Sequence, residues 1–172
     1  EATTNALSYQ VTSTDIERLL RQLGGSGSGL LGWTLSAAEE FLSPSDGATM
    51  KHMVQQITDI AFRFQNLNQD FFRSINQFLS EQREGLPVTA YAHQERILPS
   101  TRLQPAWDEV EIAWEKASLA LKPLNEMLSQ LILSLAEIQD ALAEENEELF
   151  GSLKNLYRQL DDYAGQMNAF VF

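Results

Sequence analysis

Residues 128–170 read LSQLILSLAEIQDALAEENEELFGSLKNLYRQLDDYAGQMNAF, and an apolar residue returns at every seventh place: Leu128, Leu135, Leu142, Leu149, Leu156, Tyr163 and Phe170. A seven-residue period keeps one face of a helix in register with a packed neighbour. Leu131 and Ile138 supply the companion positions first; past Leu149 the companions are Leu153, Leu160 and Met167, displaced by one place. Such a shift locally alters supercoiling. Taken as one helix beyond Pro123, roughly 48 residues at ~1.5 Å rise form a rod of ~70 Å. The stretch therefore predicts an all-α protein, an elongated helical bundle or hairpin with coiled-coil seams.

The helix leading into this stretch begins at Pro105 or Ala106, because proline suits a first helical turn. Trp107, Val110, Trp114, Ala117 and Leu121 share one of its faces. Pro123 lacks a backbone donor and is expected to kink or split the helix. Upstream, residues 85–105 hold Pro87, Pro99 and Pro105 and form one long irregular connector. Val88 to Tyr91 is expected to be extended, with Ile97, Leu98 and Leu103 pinning the segment to the bundle. Connectors of this length are uncommon and often functional.

A second long helix is predicted over residues 48–83. Its apolar positions are Met50, Met53, Ile57, Ile60, Phe64, Leu67, Phe71, Ile75 and Phe78, again a heptad-like seam. Ala61, Phe62 and Phe72 widen the stripe, so more than two helices are expected around its middle. Its other face is rich in amides, among them Gln55, Asn68 and Gln69, expected to meet water, with Asp59 and Arg63 as a surface pair. A short helix is predicted over residues 34–42, with Trp33, Leu35, Ala38, Phe41 and Leu42 as apolar contacts. Ser43-Pro44-Ser45-Asp46-Gly47 is expected to end it.

Residues 24–29 are Gly24-Gly25-Ser26-Gly27-Ser28-Gly29, four of the nine glycines of the chain within six positions. A run of this composition behaves as a flexible tether and resembles laboratory fusion linkers. It spans at most ~20 Å, so its two ends lie close together. Three units follow from it: residues 1–23, a helical motif segment that is either a tethered partner peptide or the native first helix; residues 24–29, the linker; and residues 30–172, the bundle. In the first unit Ile16, Leu19, Leu20 and Leu23 form one apolar stripe, with Thr12, Ser13 or Thr14 as the cap. A helix this short needs a groove to be stable. The face carrying Trp107 and Trp114 is one candidate groove, while core packing of both tryptophans is the other reading.

Composition narrows function by exclusion. The chain has 172 residues, 44% hydrophobic and 21% charged, which is globular composition. Its formal charge of −12, from 24 acids and 12 bases, disfavours nucleic acid and anionic membrane as partners. No apolar run reaches the ~18 residues of a membrane helix. There is no cysteine, hence no disulfide and no thiolate metal site. His52 and His93, the only histidines, have no ligand at metal-binding helical spacing, and neither a phosphate loop nor a nucleophile elbow is present. No metal, cofactor or catalytic residue is expected.

Between Lys122 and Lys154 lies no basic residue, while Glu126, Glu137, Asp140, Glu144, Glu145, Glu147 and Glu148 fall inside. The block is either a solvated face or a docking site for a basic partner surface, with Glu144 to Glu148 interrupting the coiled-coil core at a bend or tip. Ala169-Phe170-Val171-Phe172 is apolar and still in heptad phase, which predicts a coiled coil that continues or an end that packs back on the body.

These features predict a non-enzymatic, cytoplasmic protein–protein interaction module: a scaffold, tether or adaptor with helical protein partners and a homodimer open to it. The expected partner-binding residues are Ile16, Leu19, Leu20, Leu23, Trp107, Trp114, Glu144, Glu145, Glu147 and Glu148. The alternative is a ligand-sensing four-helix domain, which requires a pocket between long helices.

Overall fold

The computed structural model describes residues 12–83, 97–138 and 146–172. Six helices occupy them: α1 (Ser13–Leu23), α2 (Gly29–Ala38), α3 (Pro44–Gln82), α4 (Pro99–Arg102), α5 (Pro105–Glu137) and α6 (Glu147–Val171). The protein is an all-α helical bundle. The predicted extended stretch at Val88 to Tyr91 lies outside the described residues.

Helix α1 begins at Thr12, whose hydroxyl accepts from the Asp15 amide at 3.3 Å while the Asp15 carboxylate accepts from the Thr12 amide at 3.0 Å. This reciprocal box satisfies two donors that the first turn would leave unpaired. The Thr12 hydroxyl also donates to the Asp15 carboxylate at 2.7 Å, and this bond first, then that from the Thr12 amide, holds the Asp15 carboxyl below its ordinary range, with Arg18 contributing less.

The hexapeptide expected as a flexible tether is a closed turn. Gly25 and Ser28 exchange backbone hydrogen bonds of 3.0 and 3.2 Å around Ser26-Gly27. Gly24 and Gly29 have φ of 71° and 66°, a region that side chains rarely enter. A Cβ on Gly24 would lie 2.3 Å from the Ser28 carbonyl oxygen, and one on Gly29 2.8 Å from the carbonyls of Gln22 and Leu23. The reason is covering power: Leu23, Leu30 and Leu31 on either side are all buried, so the turn is pulled tight.

Helix α2 lies at 29–38 rather than 34–42, because Leu30, Leu31 and Thr34 enter the core while Trp33 and Phe41 stay largely exposed. Ser43-Pro44 starts α3 instead of merely ending α2. The Ser43 hydroxyl accepts from the Asp46 amide at 3.1 Å, and proline costs nothing at a position whose N–H has no helical acceptor.

Glu17 accepts from Gln69 at 3.3 Å, Gly25 lies against Thr58, and Leu35 and Glu39 share a cleft with Met50 and Lys51. Helices α1 and α2 thus follow one another along α3 in the opposite sense. Both also pack on α6, and α5 packs antiparallel on α3 and α6. The result is a four-cornered bundle in which α1 and α2 in series form one corner.

Two expectations for the C-terminal third change. Helix α5 continues through Pro123, so the helix is not split there. A helix-interior proline costs ~3 kcal/mol, whereas each fully buried leucine contributes ~1.5–3 kcal/mol, and Leu121, Leu124, Leu128, Leu131 and Leu135 are all buried around it. The predicted 70 Å rod is instead two helices, because α5 ends at Glu137 and α6 starts at Glu147. The two limbs fold together, so Leu128 and Leu135 on α5 and Leu149, Leu156 and Tyr163 on α6 join one core.

Candidate interaction surfaces

The tryptophans of α5 organise the interior. Trp107 stacks edge-on with Phe78 at 5.1 Å and Phe170 at 5.7 Å, and its indole N–H donates to the Val171 carbonyl at 3.2 Å. Trp114 packs on Phe71 at 5.1 Å and Tyr163 at 5.8 Å and donates to the Asn168 side chain at 2.7 Å. Both are completely buried. As a partner-binding groove they are therefore corrected: core packing holds, with every face met from within the chain. Helix α1 rests on α2, α3 and α6, with Ile16, Leu20 and Leu23 buried and Leu19 partly so.

Glu147 and Glu148 are exposed in the first turn of α6, where negative charge is favoured by the helix dipole. Glu144 and Glu145 lie outside the described residues, as does His93. His52 is exposed. Asp59 accepts from Gln55 at 2.9 Å rather than pairing with Arg63; the ion pairs among the described residues are Arg18–Asp15 and Arg73–Asp70. Among the described residues no group of three or more His, Asp or Glu is placed to hold a metal, and no helix is long and apolar enough to cross a membrane.

Three further corrections concern side chains whose burial was misjudged. Phe62 is exposed while its neighbour Ala61 is buried, since the seam turns toward 61 at that level. Asn68, expected in water, is buried and bonded to Tyr163. Leu98 and Leu103 are exposed and Ile97 alone of the three packs on the core. Among the described residues of the connector, Thr101 accepts from the Leu98 amide at 3.1 Å within the segment, and Arg102 ties it to α6 by donating to the carbonyls of Ala169 and Phe170 at 3.0 Å each. A guanidinium suits the negative end of α6.

A surface that the sequence reading missed runs along the outside of α5. Its core residues Trp107, Trp114, Leu121, Leu128 and Leu135 define one heptad position. Five places further on, facing away from the core, stand Ile112, Leu119, Glu126 and Leu133. Ile112 is 43%, Leu119 75% and Leu133 64% exposed. Outward positions of a bundle helix are ordinarily polar. Asp108, Glu109, Glu111, Glu115 and Glu126 flank or join the stripe, against Lys116 and Lys122. Removing the core positions from the α5 sequence and asking what repeats among the remainder reveals it.

Beside the stripe, α5 and α6 flank an open cleft of ≈660 Å³. Its walls are regular: Ser118, Lys122, Asn125 and Ser129 on α5 oppose Tyr157, Asp161, Ala164 and Asn168 on α6. No protein family, curated protein or solved structure matches the chain.

Proposed function

We propose that the chain is a non-enzymatic, cytoplasmic protein-interaction module, a scaffold, tether or adaptor, whose outer α5 face docks a basic amphipathic helix of a protein partner. The observation that carries this is the stripe of Ile112, Leu119 and Leu133, exposed at heptad spacing on a helix whose core positions are already filled. Its helical period matches a helical partner, and its acidic flanks select a basic one. Within this module α1, Ser13–Leu23, packs on α2, α3 and α6, which supports reading it as a helical motif held by the bundle. A second reading, the ligand-sensing four-helix domain, is favoured by the cleft between α5 and α6.

The test is calorimetric titration of the full chain with a leucine/lysine heptad peptide, with a leucine/glutamate peptide as control. The basic peptide binds and the acidic one does not. The double variant Ile112→Ser/Leu133→Ser, which leaves the charge unchanged, abolishes binding while keeping the melting temperature within a few degrees. Binding that survives this variant overturns the stripe as the site. Concentration-dependent self-association lost in the same variant would make a second copy the occupant instead.

A further inference from the structure

The cleft between α5 and α6 holds an anomaly that the partner surface does not explain. The Asn125 carboxamide oxygen is buried and has no hydrogen-bond partner. An acceptor stripped of water and left unpaired is uncommon in a folded protein and calls for an explanation. Around it the walls carry charge of both signs. Lys122 comes from α5 beside Glu126, and Asp161 from α6. Among the described residues Lys122 forms no ion pair with Asp161 or Glu126. Leu119 and the Tyr157 ring add apolar wall. A volume of ≈660 Å³ lies within the range of small-molecule sites, ~300–1,000 Å³.

We propose that this cleft binds a small zwitterion of the amino-acid class with an apolar side chain. Lys122 faces the carboxylate as a mobile point charge, and Asp161 faces the ammonium. Rotation of the Asn125 amide about its last bond turns the buried oxygen toward the ligand, where an ammonium N–H pairs it. The apolar portion lies on Leu119 and Tyr157. One wall alone would attract a simple amine or a simple acid. The two walls together favour a molecule that carries both groups.

The probe is L-phenylalanine, titrated into the full chain, with phenethylamine and 3-phenylpropanoate as analogues that each lack one charge. The expected result is saturable one-to-one binding of L-phenylalanine, at least tenfold tighter than either analogue. Asp161→Asn removes the advantage over 3-phenylpropanoate, and Lys122→Met removes the advantage over phenethylamine. Asn125→Leu weakens binding at an equal or higher melting temperature, which separates a lost contact from a lost fold. No saturable heat at millimolar ligand, equal binding of all three molecules, or indifference to these variants overturns the proposal. Leu119 and Glu126 border both this site and the outer stripe, whereas Ile112 and Leu133 belong to the stripe alone, so the Ile112→Ser/Leu133→Ser variant tests the partner surface without altering this site.

Discussion

The Tyr163 hydroxyl on α6 donates to the Asn68 carboxamide oxygen on α3 across 2.5 Å, with both residues buried. It joins two helices that share few close backbone approaches, inside a layer otherwise made of Phe64, Phe71 and Trp114. A satisfied buried pair contributes modestly, but a half-removed one is expensive. Tyr163→Phe should cost about 1–3 kcal/mol by leaving the amide unpaired. Adding Asn68→Leu should recover a substantial part of that loss. A urea double-mutant cycle measures the coupling, and a coupling energy near zero would show that the pair does not act as a unit.

The same tyrosine gives the protein an alkaline limit. Burial raises the Tyr163 pKa above its ordinary value of 10.0. In the folded state the neutral phenol is kept, while in the unfolded chain it ionises near pH 10. The associated stability is therefore complete below pH 10 and falls as pH rises toward the folded pKa, by up to ~1.4 kcal/mol per unit. Urea midpoints measured from pH 9 to 11.5 should decline more steeply in the parent than in Tyr163→Phe.

Two glycines of the same hexapeptide should answer differently to one methyl group. Gly29→Ala forces a positive φ on alanine and drives its Cβ into two carbonyl oxygens, whereas a Cβ on Gly27 meets nothing within 4 Å. Gly29→Ala should lower stability by about 1–2 kcal/mol, and Gly27→Ala by less than about 0.5 kcal/mol. Thermal melts of the two variants distinguish a fitted turn from a slack tether, which would tolerate both.

Arg102 closes the end of α6 through the carbonyls of Ala169 and Phe170, yet its own Nε is buried without a partner. The two effects oppose. Arg102→Met should cost about 0.5–1.5 kcal/mol rather than the larger loss of a fully satisfied charge. It should also hasten carboxypeptidase release of residues 168–172. Unchanged digestion would mean that Trp107 alone secures that end.

A pair of leucines on the two limbs separates the inner and outer faces of the hairpin. Leu149 is 2% exposed and Leu133 64%. Leu149→Asp places an unpaired charge in the core and should cost at least ~3 kcal/mol, while Leu133→Asp should stay near ~0.5 kcal/mol. Equal losses in chemical denaturation would contradict the inward placement of Leu149.

Heptad spacing made the inward faces of α3, α5 and α6 legible, since burial repeats with the helix and needs no knowledge of neighbours. It did not fix where the helix ends, although the polar break at Glu144 to Glu148 was read as a bend or tip, because the antiparallel limbs α5 and α6 each obey the repeat and keep the same phase. Pro44 was misplaced because proline ends one helix and opens the next with the same chemistry. Asn68 was hidden for a different reason: its amide is tolerable in the core only because Tyr163, 95 positions away, supplies a proton. The outer stripe of α5 was present in the sequence from the start. It went unseen because the stronger inward repeat on the same helix absorbed every apolar residue that was weighed.

Helices α1 and α2 have 11 and 10 residues, too few to persist in water without the burial of Ile16, Leu20, Leu23, Leu30 and Leu31. Their corner is in two pieces, while every other corner is a single long helix. Partial openings therefore start there, at lower free energy than global unfolding. In hydrogen exchange, deuterium should enter the amides of α1 and α2 first, and those around Trp114 and Leu128 last. A quarter of the bundle's cross-section thus keeps its own equilibrium with solvent, and the flanks of α3 and α6 beneath it are intermittently bare.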